Sequence, residues 1–195
     1  MTETAGALTK SQTARRQRVL EAALELGSEG GYDAVQMRDV ATRANVALGT
    51  IYRYFSSKDH LLAAALVEWA RDLERRVSAR PPRGDTTAER VVDILGRATR
   101  AMEKEPELSA AVMKALSSPD PQAAECQQEV GVLMGRIQAQ AFPEAFDGDT
   151  QAAIVRTLGH VWFSSLIGWV NGWVGIREAG AELDAAAHLL LDQYE

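Results

Sequence analysis

The sequence predicts an all-α chain, with a small helix-turn-helix head on a larger helical body. Three observations carry this. Apolar residues recur at three- and four-residue spacing over long stretches, as in Leu61, Leu62, Ala65, Leu66, Trp69 and Leu73. The alternating Val/Ile/Thr runs of a sheet are absent, alanine is abundant, and proline is scarce, with 6 in 195 residues. Finally, residues 37–58 read as two short helices joined by a tight turn and running into a longer third.

In chain order, residues 1–12 are expected to form a flexible basic arm. A helix from Ser11 or Thr13 to Ser28 follows, with Leu20, Ala23, Leu24 and Gly27 on its core face. Glu29-Gly30-Gly31 should end it. Lys10, Arg15, Arg16 and Arg18 near its start make either a phosphate-facing cluster or an ordinary solvated helix start. The next helix supplies Val40, Ala41 and Ala44 to a small core. Asn45 breaks that helix, since Asn tolerates the left-handed backbone a helix end needs, and Val46 plugs the corner. The following helix turns Ile51 and Phe55 inward, four residues apart. Leu48, Gly49, Thr50, Tyr52, Arg53 and Tyr54 are left to face outward, with Lys58 just beyond. Such a face suits the major groove of a duplex.

The roles follow from chemistry. Gly49 lets the backbone approach closely. Leu48 and Thr50 suit a thymine methyl, and Arg53 suits a guanine edge. Tyr52, Tyr54 and Lys58 suit phosphates, which set register; for Tyr54, core packing is the alternative. Arg38 faces a base or phosphate, or else pairs with an acid such as Asp39. Gln36 completes the candidate DNA-contacting set.

Residues from about 13 to 66 resemble the DNA-binding domain of the TetR family of bacterial repressors. The resemblance is carried by Gly-Gly-Tyr-Asp-Ala (30–34), Met-Arg-Asp-Val-Ala (37–41), Ala-Asn-Val-Ala-Leu-Gly-Thr-Ile-Tyr-Arg-Tyr-Phe (44–55) and Ser-Lys-Asp-His-Leu-Leu (57–62). Gln36 stands where that family usually has a Ser or Thr cap. The resemblance implies a head over residues 13–60 and an effector-binding and dimerisation body over 61–195. It also implies that the helix after Ser57 links the two.

Within the body, one helix runs from Ser57 to about Val77 and Pro81-Pro82-Arg83-Gly84-Asp85 breaks it. Thr86 or Thr87 opens the next, with Val91, Val92, Leu95, Ala98 and Met102 apolar. Leu108 to Leu116 follows a break at Pro106. Another helix spans Gln122 to about Phe142. Residues 150–176 are apolar on more than one face and are expected to form one helix needing cover on several sides. A short helix, Leu183 to Leu191, ends the chain. The candidate effector pocket is Trp69, Met102, Met113, Met134, Trp162, Phe163 and Leu166, though each is equally at home in an ordinary core. The candidate dimer interface is Leu158, Gly168, Trp169, Gly172, Trp173 and Leu190. The resemblance implies pairing through the last two long helices. Arg100-Ala-Met-Glu-Lys-Glu-Pro-Glu-Leu and Val161–Trp169 are also similar to the ligand domain of actinobacterial TetR-type repressors of steroid and lipid catabolism. That similarity implies an acyl-CoA thioester effector, steroid ones included.

The net charge is −6, but it is uneven: residues 1–60 hold 8 Lys and Arg against 7 Asp and Glu, and the remainder 13 against 20. Only the head can have a basic footprint. The single cysteine, Cys126, permits no internal disulfide. No phosphate loop, metal quartet or Ser/His/Asp set is visible, so neither enzymatic activity nor a metal or cofactor is expected. The absence of a signal pattern or a membrane-length apolar run points to the cytoplasm and no membrane partner. The expected function is a homodimeric, ligand-released repressor on a pseudo-palindromic double-stranded DNA operator. An activator or architectural DNA-binder is the alternative, and a small-molecule enzyme a third.

Overall fold

The structure, a computed structural model, describes residues 9–194. The elements are α1 (Lys10–Ala34), α2 (Met37–Arg43), α3 (Leu48–Tyr52), α4 (Lys58–Ala79), α5 (Thr87–Glu103), α6 (Pro106–Leu116), α7 (Pro121–Ala139), α8 (Gly148–Val170) and α9 (Ile176–Leu191), closed by a 3-10 turn (Asp192–Tyr194). No strand occurs among the described residues.

Helix starts follow local chemistry. Thr9 caps α1 in a reciprocal box with Gln12, so Lys10 to Gln12 belong to the helix, not to an arm. The rest of the expected arm, residues 1–8, lies outside the described residues. Thr86 and Glu89 form the same box at α5. Ser57 caps α4, Asp120 caps α7 and Asp147 caps α8. Pro106 and Pro121 stand in the first turns of α6 and α7, where a missing N–H costs nothing. Pro106 therefore begins a helix and is not a break before one.

The end of α8 differs from the sequence expectation. The helix stops at Val170, and α9 begins at Ile176, not Leu183. Gly172 adopts φ +72°, while the Trp173 N–H reaches back to the Gly168 carbonyl at 2.8 Å and the Gly172 N–H to that of Trp169 at 3.0 Å. This is a glycine-terminated Schellman end. An apolar stretch with no charge to interrupt it conceals such a stop.

The head and body share one core. Leu20, Ala23, Val40, Ile51, Phe55, Leu61 and Leu62 join Ala111, Val112, Met113 and Leu116 of α6 in a single buried cluster. Gly27 leaves room for the Leu108 side chain of α6 against α1, since a Cβ there would lie 2.7 Å from Leu108 Cδ1. A second cluster fills the body with Leu73, Val77, Ile94, Leu95, Ile137, Leu158 and Leu191. The expected boundary between residues 60 and 61 thus falls inside continuous packing, and α4 spans both clusters.

Candidate nucleic-acid interface and effector domain

The turn before α3 is built as its sequence suggests. Asn45 has φ +52°, and the Val46 and Asn45 N–H groups return to the Ala41 and Thr42 carbonyls at 3.0 and 3.2 Å. Ile51 and Phe55 are buried at 0% and 1% exposure, which fixes the rotation of α3. The opposite side faces solvent. Gly49 and Arg53 are exposed and Tyr52 is 53% exposed; Leu48, Thr50 and Tyr54 are half-buried. A Cβ at Gly49 would meet nothing within 4 Å, so no contact inside the chain requires glycine there. Arg53 donates to Tyr54 Oη at 3.3 Å, and its guanidinium lies 5.4 Å from the centre of that ring. Tyr54 is therefore both a packing residue and a support that aims Arg53.

The flanking groups divide. Arg38 is exposed and has no ion pair among the described residues, so the alternative link to Asp39 is not made. Gln36 makes no cap; its Nε2 donates to the Asp33 carbonyl at 2.8 Å. Lys10 and Arg18 are exposed, whereas Arg16 pairs with Glu68 at 3.1 Å and lies over the Phe55 ring. Arg16 is thus a packing residue.

Lys58 is placed differently from the phosphate-facing role expected for it. Its Nζ donates to the Tyr32 carbonyl at 3.0 Å and sits 3.7 Å from the Tyr32 ring centre, and burial pushes its pKa down. The cause is a polar junction the sequence did not reveal. Tyr32 Oη donates to Asp59 Oδ1 at 2.6 Å, and Ser118 Oγ, from the α6–α7 turn, donates to Asp59 Oδ2 at 2.6 Å. Ser57 Oγ donates to Asp120 at 2.6 Å. Lys114 lies 4.1 Å from the Tyr32 ring centre, on the body side. The start of α4 is therefore bonded to the head and the body together.

Burial and the neighbouring Asp59 carboxylate push the Tyr32 pKa up to about 12 from 10.0. The hydroxyl is held protonated by the fold, so its contribution is complete below pH 10 and is lost as pH rises through about 12. An ultraviolet titration should show a tyrosine ionising near pH 12 in the native protein, brought down in Asp59→Asn. A native Tyr32 titrating near 10 would count against this junction.

In the body, Met102, Met113, Met134 and Leu166 are buried, and Trp69, Trp162 and Phe163 are half-buried. They do not line one cavity. Met113 and Leu166 belong to the head-side cluster and Met134 to the other, while Trp69 and Trp162 touch both. Trp162 Nε1 donates to Thr99 Oγ1 at 2.9 Å. Gln138, an amide in the apolar stripe of α7, was missed by sequence reasoning. It is 1% exposed, and its Oε1 accepts no hydrogen bond among the described residues.

Two residues expected at a dimer interface are enclosed by their own chain. Leu158 is 0% exposed within the second cluster, because α8 is covered on that side by its own body. Gly168 is buried, its Cβ position 3.0 Å from Val174 Cγ2, so the returning turn occupies the space a partner helix would need. Trp169 and Leu190 are half-buried, Gly172 is exposed and Trp173 is 73% exposed. Among the described residues no helix is long and apolar enough to cross a membrane, and no cluster of His, Cys, Asp and Glu suits a metal.

A free helix-turn-helix face on a helical body defines a DNA-binding regulator. The chain belongs to the TetR family of bacterial regulatory proteins, whose family model matches residues 19–65; residues 84–190 match the tetracyclin repressor-like C-terminal domain. It is 42% identical over 182 residues to the HTH-type transcriptional repressor KstR of Rhodococcus jostii, covering 93% of this chain and 84% of that one. A TetR transcriptional regulator from Rhodococcus sp. RHA1 superposes with a TM-score of 0.86 at 32% identity, covering 95% of this chain and all of that one. Thermus thermophilus FadR, a TetR-family repressor solved with lauroyl-CoA, shares the fold at 23% identity, with a TM-score of 0.65 over 92% of this chain and 95% of that one.

Proposed function

We propose that this protein is a homodimeric repressor that binds a pseudo-palindromic operator and leaves it when a hydrophobic effector, a CoA thioester of the acyl or steroid class, occupies the body. The observation that carries the reading is the outward side of α3. Gly49, Tyr52 and Arg53 are exposed, and no packing inside the chain calls for a glycine at position 49. Leu48, Thr50 and Arg53 read bases, with Arg38 beside them, Gly49 lets the backbone approach, and Tyr52 and Tyr54 set register. Gln36 stands at the edge of this face. Lys58 serves the junction with Tyr32. Arg53→Ala should cost roughly 1–3 kcal/mol on the preferred operator and relax selectivity at one base pair. Affinities for single-base operator variants test this, and unchanged selectivity would remove Arg53 as a base reader.

A dimer is supported by the large apolar side chains that α8 and α9 leave uncovered. Trp173, in the turn between them, is 73% and Leu189 81% exposed, and Phe163, Trp169 and Leu190 are half-buried. A monomer would carry that surface at a cost in solubility. A hydrophobic effector is supported by Trp69 and Trp162, half-buried where the two clusters meet, with the unpaired Gln138 oxygen available to a ligand hydroxyl. The lauroyl-CoA held by the FadR neighbour belongs to the same ligand class. The test is operator selection from random DNA with the pure protein, followed by acyl-CoA and steroid thioesters added to the complex. Release by a thioester at micromolar levels is the expected result. A selected operator that no thioester releases would overturn the effector assignment.

A further inference from the structure

α4 and α5 follow one another in the chain, yet α4 packs mainly on α7, α6 and α1. Between α4 and α5 runs a slot of about 210 Å³. Trp69, Leu73 and Val77 of α4 and Ala101 of α5 make it apolar, while Asp72, Arg76, Arg80 and Arg97 give it a charged rim. The α4 residues recur at three- and four-residue steps, so one face of that helix forms one wall. Trp69 also packs against every buried cluster of the molecule, which places the slot where the cores meet.

Its charge is opposite to that of its surroundings. Residues 71–100 hold eight arginines against five acids, whereas the rest of 61–195 holds five basic residues against fifteen acids. The arginines are not equivalent. Arg97 is structural: it donates to the carbonyls of Arg80 at 2.6 Å and Pro81 at 3.0 Å and pairs with Asp93, tying the end of α4 to α5. Arg76 is largely exposed and shares Asp72 with Arg75. The Arg80 guanidinium is exposed and has no partner among the described residues. Arg83 and Arg100 gather around Asp93, the first through its backbone N–H and the second through its charge.

We infer that this slot takes the apolar end of an amphiphile whose phosphate-bearing head is held at the rim by Arg76 and Arg80. The inference rests on the effector reading above and adds the place and polarity of its site. Two exposed guanidiniums in a field of further arginines suit several negative charges, and a guanidinium fork matches phosphate oxygens in pairs. A lone carboxylate would need only one of them. The slot is also smaller than the roughly 300–1,000 Å³ of a usual small-molecule site. A tail can enter only as α4 and α5 part, so binding favours the parted form. The other end of the moving helix carries Ser57 and Asp59, which are bonded to the body and the head.

The test uses full-length protein with lauroyl-CoA, laurate, dodecanol and free CoA as probes, read by calorimetry and by release of the selected operator. Wild type should bind lauroyl-CoA on the order of tenfold more tightly than laurate. Arg76→Gln/Arg80→Gln should lose about tenfold or more for lauroyl-CoA while holding laurate and dodecanol within about twofold. Leu73→Trp, which fills the slot, should weaken every apolar probe. Unchanged operator affinity without ligand will show that both variants are folded. The assignment is overturned if the arginine variant binds lauroyl-CoA as wild type does. It is overturned equally if laurate matches lauroyl-CoA in wild type, or if no probe binds. Binding that depends on the two arginines but leaves the operator complex intact would uphold the slot and defeat the release reading. Release that the arginine variant does not alter would do the reverse.

Discussion

Gly49→Leu is expected to abolish operator binding while leaving the protein as stable as wild type. Inside the chain the substitution is free, since a Cβ at this position meets nothing within 4 Å and the backbone is helical. Replacing a helical glycine should even raise stability, by up to about 1 kcal/mol. Against a duplex the leucine stands between the backbone and the base edges. α3 is only five residues long, so it cannot tilt away and keep its other contacts. Thr50, Tyr52 and Arg53 would be lifted out of reach together. At roughly 1–3 kcal/mol for each good base contact, the loss exceeds about a hundredfold in affinity. Thermal unfolding and fluorescence anisotropy with labelled operator separate the two effects, and Gly49→Ala should fall between. A leucine variant that binds operator normally would mean that this face is not approached closely, and the assignment of α3 as the reading helix would fail.

The head could be read from sequence because its determinants are local. Asn45 and Val46 announce a helix end by chemistry that needs only neighbouring residues, and the four-residue spacing of Ile51 and Phe55 fixes the orientation of α3. Thr86 and Glu89 mark the start of α5 in the same way. The junction at Asp59 was invisible for the opposite reason. Ser118 is 59 positions away from it, and Asp120 is 63 positions from Ser57. Nothing in a serine and aspartate loop shows which distant hydroxyl it will meet. A lysine in the first turn of a helix suits a phosphate, but the long-range neighbour Tyr32 takes Lys58 instead. Leu158 and Gly168 failed similarly. A helix apolar on several faces shows that it needs cover but not whose atoms provide it, and here α9 and the 171–175 turn provide much of it. The stop at Gly172 was hidden because glycine inside an apolar run reads equally as a small residue for close packing and as a left-handed end.

Asp59→Ala is expected to cost about 3 kcal/mol or more of stability and to uncouple the head from the body. Its two carboxylate oxygens accept from Tyr32 Oη in the head and from Ser118 Oγ in the body, each at 2.6 Å. Hydrogen bonds to a charged group contribute roughly 1.5–3 kcal/mol each, and deletion strands both part-buried donors. The carboxylate also sits in the first turn of α4, where the helix N-terminus favours it. Because the apolar core already joins α1 to α6, loss of Asp59 should not detach the head but let it settle at more than one angle. Operator affinity would then fall moderately, while an effector would lose most of its power to release the complex. The milder pair Tyr32→Phe and Ser118→Ala isolates the cause. Tyr32→Phe keeps the ring between Lys58 and Lys114 and removes only the hydroxyl. If Asp59 makes one unit of the two donors, the double variant should depart from the sum of the singles by at least about 0.5 kcal/mol, both in stability and in effector response. Additive losses would mean that the two bonds merely coincide at one carboxylate, and the path from body to head would have to run through the Gly27–Leu108 packing of α1 on α6 instead.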